Sequence, residues 1–249
     1  MLALARENQR KAGVDNVIIC PPTFGMYGVA ARIQGAEVRT VPLRADAGFA
    51  LDEPALLARV DGNTKLVFVC SPNNPTANAV QPEQLLRIAR ALAPRALLVV
   101  DEAYSDFAAV ESLCRWLDEV PGLAILKTLS KAHGLAGARV GALLAAPEVI
   151  ALARKVIPPY AITELTVETV APLLEAAAVG RMRERVSQLL KERTRLAAGL
   201  ARQQLAFVAG GGPDLDGSAR AANTRFRRCA AAPGQIRGDG IAGGTSLVV

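Results

Sequence analysis

The chain has 249 residues, of which 51% are hydrophobic, and its formal net charge is +6. This length and apolar content suffice to bury the core of a large globular domain. The sequence lacks both the run of about eighteen apolar residues that a membrane span requires and a signal-peptide pattern at its N-terminus, so we expect a cytoplasmic protein. Only 4% of residues are aromatic and the arginines are mixed with acids, which argues against nucleic-acid binding and favours, at most, attraction for small anions such as phosphate esters.

Six short apolar runs, rich in valine, isoleucine and leucine, predict buried strands. They are "NVIIC" (16–20), "EVRTV" (37–41), "KLVFVC" (65–70), "ALLVVD" (96–101), "LAILK" (123–127) and "VGALLA" (140–145). Segments of helix length separate several of them. Continuous apolar strands that alternate with helices predict an α/β fold, with a mostly parallel sheet sandwiched by helices.

Two helices are predicted from the spacing of apolar residues. Between the third and fourth strands, Leu85, Ile88, Ala89 and Leu92 recur at helical spacing, and Pro82 suits a first turn. After residue 159 the pattern changes to longer helices. An apolar stripe over 181–200 predicts an amphipathic helix and comprises Met182, Val186, Leu189, Leu190, Leu196, Ala197 and Leu200.

The texture of the sequence predicts three regions. Residues 1–160 would form a ligand-binding large domain and 161–206 the helices that lead out of it. The glycine-rich stretch 207–249 has almost no hydrophobic periodicity, so we expect it to be irregular and poorly ordered.

The cysteines and the single histidine argue against a metal site. Cys20, Cys70, Cys114 and Cys229 are far apart and form no CxxC pair, which predicts reduced thiols. A lone histidine, His133, offers little to a metal centre or a catalytic triad and is expected to be a packed or capping residue. We therefore predict no bound metal.

Polar segments follow three of the predicted strands: "SPNNPTAN" after the third, "DEAYSDF" after the fourth and "KTLSKAHG" after the fifth. The carboxyl ends of parallel strands are where α/β sheets bind ligands. Lys131 would suit a Schiff-base nucleophile, and Asp101 would suit a cationic pyridine ring. Alone, each residue has an ordinary explanation as a turn, a cap or a surface charge.

Together, these segments resemble the fold-type-I pyridoxal-phosphate (PLP) aminotransferases. Within that class, "CPPTFGMYGVAARIQGAEVRTVPL" (20–43) and "ARKVIPPY" (153–160) resemble the histidinol-phosphate aminotransferase family of histidine biosynthesis. The resemblance runs from about residue 16 to about residue 206. It implies the PLP-binding large domain of that fold with an incomplete small domain, so we expect a chain truncated at both ends.

The resemblance implies a role for each of eight residues. Lys131 would bind the cofactor covalently and move the proton, and Asp101 would pair with the pyridine nitrogen. Asn74 and Tyr104 would bond the cofactor's O3′ oxygen. The cofactor phosphate would be held by Thr128, Ser130 and Arg139. Phe24 would stack on the cofactor ring.

Three positions depart from the family pattern. Phe24 stands where a tyrosine is usual, which keeps the stacking but loses a hydroxyl. Ala77 replaces a glycine in "NNPTG", which would strain the turn if that position requires a positive φ. His133 replaces a phenylalanine at the lip of the expected site, with an effect that the sequence does not predict.

The implied activity is PLP-dependent transamination between glutamate and imidazole acetol phosphate, giving histidinol phosphate in a cytoplasmic homodimer. Two alternatives stay open: a threonine-phosphate-decarboxylase-like lyase, which shares nearly all these motifs, and an inactive aminotransferase fragment. Because the family's N-terminal part and small domain are unmatched, we expect this chain alone to be weakly active or inactive.

Overall fold

A computed structural model describes residues 14–203 and 246–248, the last three by their backbone only. The strands are β1 (Asn16–Ile19), β2 (Glu37–Thr40), β3 (Thr64–Cys70), β4 (Leu97–Asp101), β5 (Leu123–Thr128), β6 (Gly141–Ala145) and β7 (Ser246–Val248). The α-helices are α1 (Met26–Ile33), α2 (Glu53–Ala58), α3 (Pro82–Leu92), α4 (Pro147–Arg154), α5 (Glu164–Val170) and α6 (Ala176–Arg202). Short 3-10 helices lie at Ala45–Ala47, Ser105–Phe107, Leu113–Trp116, Ala136–Ala138 and Ala171–Leu174.

The strands form one mixed sheet in the order β2-β1-β3-β4-β5-β6-β7. Pairing is parallel from β2 through β5, whereas β6 is antiparallel to β5 and β7 is antiparallel to β6. All six predicted strands are confirmed, each end to within one residue, and so is the mostly parallel sheet. The strand β7 was not predicted: it lies inside the stretch expected to be irregular. The rest of that stretch, 207–245 and 249, lies outside the described residues.

Helices cover both faces of the sheet because successive strand residues point to opposite sides. Val67 and Val69 face one core cluster, which includes Ile88 and Leu92 of α3. Phe68, on the other face, belongs to a second cluster with residues of α1 and α4. Each fully buried leucine or isoleucine contributes about 2 kcal/mol of burial free energy. The predicted sandwich of helices around the sheet is therefore confirmed.

The predicted helix at 82–92 is present and begins with Pro82 at its first turn. The second predicted helix is α6, a 27-residue helix that begins before the predicted range. Its apolar stripe is buried only in the first half: Met182 and Val186 are covered, whereas Leu189 and Leu196 are 58% and 61% exposed.

Among the described residues, no helix is both long enough and apolar enough to cross a membrane. In the same part of the chain, no cluster of three or more His, Cys, Asp or Glu side chains is arranged to hold a metal ion. Cys20, Cys70 and Cys114 are buried thiols, as predicted. Cys229 lies outside the described residues.

Candidate active site

The three polar segments meet at the carboxyl ends of β3, β4 and β5. Register places Cys70 of β3 beside Asp101 of β4, and Asp101 beside Leu126 of β5. A cavity of about 960 Å³ opens at this edge of the sheet. It is lined by all eight predicted site residues: Phe24, Asn74, Asp101, Tyr104, Thr128, Ser130, Lys131 and Arg139. The fold thus brings the eight together, while their individual roles stay predictions.

Asp101, the last residue of β4, is half-buried at the floor of this cavity. Its Oδ1 accepts a hydrogen bond from the backbone N–H of Ala103 at 3.0 Å, and its Oδ2 accepts one from the Tyr27 hydroxyl at 2.6 Å. The ring of Tyr27 stacks on Phe68 at 4.8 Å between centroids. Burial, and then the negative charge of Asp101, raise the pKa of Tyr27, so this hydroxyl stays protonated as a donor.

Lys131 lies in the turn after β5, and its side chain is exposed to the cavity. Its Nζ lies 5.1 Å from the centroid of the Tyr104 ring, within the range of a cation–π contact. The turn closes where the N–H of Gly134, at φ +72°, donates to the Lys131 carbonyl at 2.9 Å. Within the described residues, no carboxylate forms an ion pair with Lys131. Its amine is therefore not committed to a protein partner.

A second lysine, Lys127, lies four residues earlier and lines the same cavity, but it is paired with a carboxylate. Its Nζ lies 2.5 Å from Glu102 Oε2 and donates a hydrogen bond to Ser105 Oγ at 2.8 Å. Burial alone lowers the pKa of Lys127, but the negative charge of Glu102 and its hydrogen bond outweigh that effect, so the net pKa is raised. A lysine held as an ammonium ion is a poor nucleophile, which favours Lys131 for covalent chemistry.

The predicted phosphate ligands line the same edge of the cavity. Thr128 Oγ1 donates to Ser130 Oγ at 3.0 Å and accepts from the Ser130 backbone N–H at 3.1 Å, so the two hydroxyls are adjacent. Arg139 is exposed and adopts a left-handed backbone, with φ 54°. Its Nη1 donates to the carbonyl of Ala136 at 3.0 Å, which uses one edge of the guanidinium.

A buried asparagine, Asn73, holds the loop that carries Asn74. The Asn73 Nδ2 donates to the Pro22 carbonyl at 2.9 Å and to Thr76 Oγ1 at 2.7 Å. Its Oδ1 accepts from Thr23 Oγ1 at 2.8 Å. These contacts join the loop after β3 to the segment that precedes α1, which carries Phe24.

Two departures from the family pattern can be read in the structure. Ala77 has φ +59°, so the turn does require the left-handed conformation that glycine adopts without cost. Phe24 is 43% exposed at the cavity wall and meets the Tyr27 ring edge to face at 5.5 Å. The strained turn expected at Ala77 is therefore present, and an aromatic face is available at Phe24.

The third departure, His133, is half-buried beside the Lys131 turn. Its Nδ1 is buried and makes no hydrogen bond to any described residue. Burial lowers the pKa of His133; the charge of Asp106 opposes this shift and that of Arg185 adds to it. The predicted packed histidine is thus observed, but as a side chain with one unsatisfied nitrogen and no capping bond from it.

Comparison with known proteins identifies the family. The family model described as "Aminotransferase class I and II" matches residues 8–212 of this chain. The chain belongs to this family. Among curated relatives, the histidinol-phosphate aminotransferase of Cronobacter sakazakii (strain ATCC BAA-894) is 46% identical over 188 residues, which are 76% of this chain and 51% of that protein. That of Sodalis glossinidius (strain morsitans) is 47% identical over 189 residues, 76% of this chain and 52% of that one.

Solved aminotransferases share the fold. A Thermus thermophilus aspartate aminotransferase single mutant is 26% identical, with a TM-score of 0.72, over 85% of this chain and 56% of that chain. L-threonine-O-3-phosphate decarboxylase from Porphyromonas gingivalis is 22% identical, with a TM-score of 0.64, over 76% of this chain and 55% of that one. The aminotransferase chain described here spans about half the length of the curated relatives it matches.

Three residues of the candidate site were not predicted from the sequence. Tyr27 lies within the segment 20–43, but its bond to Asp101 joins residues 74 positions apart, and no local pattern predicts it. Asn73 sits beside the predicted Asn74 and reads as an ordinary turn residue. Lys127 is visible only as a charge near the end of an apolar run. No sequence signal assigns its partner, because that depends on the pairing of β4 with β5.

Proposed function

We propose that this aminotransferase chain binds PLP in the 960 Å³ cavity and supports transamination between glutamate and imidazole acetol phosphate. The observation that carries the proposal is the convergence of the eight predicted residues on one cavity at the carboxyl edge of the sheet. A half-buried carboxylate and an unpaired amine at one site are the two groups that such a cofactor requires. The cofactor fits this donor set.

Four side chains with different chemistry would bind the PLP ring. Asp101, already oriented by Tyr27 and by the Ala103 N–H, would accept a hydrogen bond from the pyridine nitrogen. Tyr104 and Asn74 would donate to the O3′ oxygen. Phe24 offers an aromatic face for the ring.

The phosphate would lie against the turn that follows β5. The Ser130 hydroxyl would donate to it, as would that of Thr128 once its bond to Ser130 is released, and the guanidinium edge of Arg139 that is turned away from Ala136 would add charge. Lys131 lines the same cavity and, among the described residues, forms no ion pair with a carboxylate.

Bound PLP supplies an electron sink for charge that develops on the substrate α-carbon. Lys131 would hold the cofactor covalently at rest and, once displaced by substrate, would remove and return the α-proton through its Nζ. The neighbouring Tyr104 ring, 5.1 Å from that nitrogen, would limit where the amine can move. Lys127 is unsuited to this task because Glu102 keeps it charged.

The substrates are inferred from the relatives. Two curated proteins that are 46% and 47% identical to this chain carry the name histidinol-phosphate aminotransferase. That similarity favours transamination over the alternative of a decarboxylating lyase. We extend the proposal to a cytoplasmic homodimer, whose mass sedimentation analysis would measure.

The test is titration of the purified chain with PLP, followed by absorbance. The wild type should develop a visible band from the covalent complex, and Lys131→Ala should abolish it. Lys191→Ala, which removes an exposed lysine of α6, is the matched control and should retain the band. A wild type without the band, or a Lys131→Ala variant that keeps it, would falsify the cofactor assignment. Amino transfer from glutamate, assayed separately, tests the reaction, and release of CO₂ would instead favour the lyase.

A further inference from the structure

A buried ion pair joins Lys127, which lines the candidate-site cavity, to Glu102, which does not, and has no part in the proposed chemistry. The Lys127 and Glu102 side chains are only 15% and 4% exposed. Both Glu102 oxygens are also satisfied by neutral donors. Ser112 Oγ donates to Oε2 at 2.6 Å, and the Leu113 N–H donates to Oε1 at 2.8 Å. This carboxylate is therefore fixed in place by three separate groups.

The Lys127 ammonium contacts both ends of the short turn 102–105. It bonds to the side chain of Glu102 at one end and to the Ser105 hydroxyl at the other. The turn itself closes where the Ser105 N–H donates to the Glu102 carbonyl at 3.1 Å. Tyr104 is carried inside this turn, so its ring is located by a side chain of the neighbouring strand.

The same lysine belongs to the strand that leads into the covalent site. Lys127 directly precedes Thr128 in β5, and the Glu102 N–H donates to the Leu126 carbonyl at 2.9 Å. The ion pair thus reinforces a backbone contact between the segment of Asp101 and Tyr104 and the segment of Thr128 and Lys131. Because desolvation of a buried pair can offset its Coulomb attraction, the pair need not add net stability, and its fixed geometry is the property that bears on the site.

We propose that Lys127 and Glu102 are positioning residues, which hold the 102–105 turn so that Tyr104 faces Lys131 and would donate to the bound cofactor from a fixed position. This role rests on the proposed PLP function. Neither residue would touch the reacting atoms. Their contribution would appear as the affinity for PLP and as the orientation of the bound ring.

The decisive variant removes both charges and keeps the hydrogen bonds of the glutamate. In Lys127→Met with Glu102→Gln, the amide still accepts from the Leu113 N–H and can donate to Ser112, so no buried charge is left alone. We expect its thermal midpoint to stay near that of the wild type. Its dissociation constant for PLP should rise by about tenfold, as for other groups that orient a ligand from behind. Visible circular dichroism of the bound cofactor should weaken, because the ring is less firmly oriented.

Three further variants separate positioning from simple stability. Ser105→Ala removes only one Lys127 hydrogen bond and should shift both readouts in the same direction but less. Lys127→Arg keeps the charge and should leave the PLP affinity and the visible circular dichroism near their wild-type values. Lys65→Met breaks another lysine–carboxylate pair, with Asp15 at 3.6 Å, at the opposite end of β3 and should leave both unchanged.

The outcomes distinguish this role from the proposed function. If the wild type and Lys65→Met bind PLP but the double variant binds it with unchanged affinity and circular dichroism, the positioning role is overturned and the cofactor site stands. If Lys65→Met weakens PLP binding as much as the double variant does, the effect is general and the role is again overturned. If the wild type itself gives no visible band, both proposals fall.

Discussion

Replacing Ala77 with glycine should stabilise this protein, although it deletes a methyl group. Ala77 has φ +59°, and its N–H donates to the Asn73 carbonyl at 2.7 Å, so the loop fixes this conformation. The left-handed region costs an L-residue about 1–2 kcal/mol, which glycine does not incur. Against this, the greater freedom of glycine stabilises the unfolded state by about 0.4–1 kcal/mol. Because Ala77 is exposed, little packing is lost, and the net gain is about 0.5–1 kcal/mol.

Thermal unfolding followed by circular dichroism measures this gain. For a chain of this size we expect Ala77→Gly to raise the midpoint by about 1–4 °C. The matched control is Ala79→Gly, two residues later in the same loop, where φ is not positive. That variant should lower the midpoint, because it raises the unfolded-state entropy and removes a half-buried methyl group without relieving backbone strain. Equal losses in the two variants would refute the assignment of backbone strain to Ala77.

Three other changes have expected outcomes. Burial lowers the pKa of His133, so stability should fall as pH drops below about 6.5, and His133→Phe should flatten the midpoint between pH 7 and pH 5; an unchanged slope would contradict this. Tyr27→Phe, which keeps the ring but loses the donor to Asp101, should cost about 1.5–3 kcal/mol in urea unfolding, and a neutral result would mean that water replaces the hydroxyl. On α6, Met182→Ala should cost about 2–5 kcal/mol, whereas exposed Leu189→Ala should stay within about 0.5 kcal/mol; equal costs would contradict the described burial.

The strands were predictable because burial on both faces leaves a readable signal. "KLVFVC" is apolar at nearly every position, since its alternate residues enter two different cores. The strand β7 carries no comparable signal. It has three residues, Ser246–Val248, and pairs with a strand far earlier in the chain, so only tertiary contact defines it. Short strands of this kind depend on a partner that local sequence does not name.

The candidate site shows the same division between local and non-local information. Asp101 and Lys131 stand in recognisable segments, and the sheet topology then places those segments together. Their supporting contacts were missed. The bond from Tyr27 to Asp101 joins a helix to a strand end, and Lys127 meets Glu102 only through the register of two strands. Contacts of this type depend on three-dimensional placement, and the partner of a single charged or aromatic residue cannot be predicted from its type alone.

Helix α6 links the two loops of the site mechanically. Its buried residues Val179, Met182 and Val186 pack against Phe107, which follows the Tyr104 turn, and against Ala132, which follows Lys131. A 27-residue helix is about 40 Å long, and only its first half is anchored in this way. The helix therefore supports two segments of the candidate site through one stripe of side chains. A substitution that changes the packing of Met182 would disturb the surroundings of Phe107 and Ala132 together, although Met182 does not line the cavity.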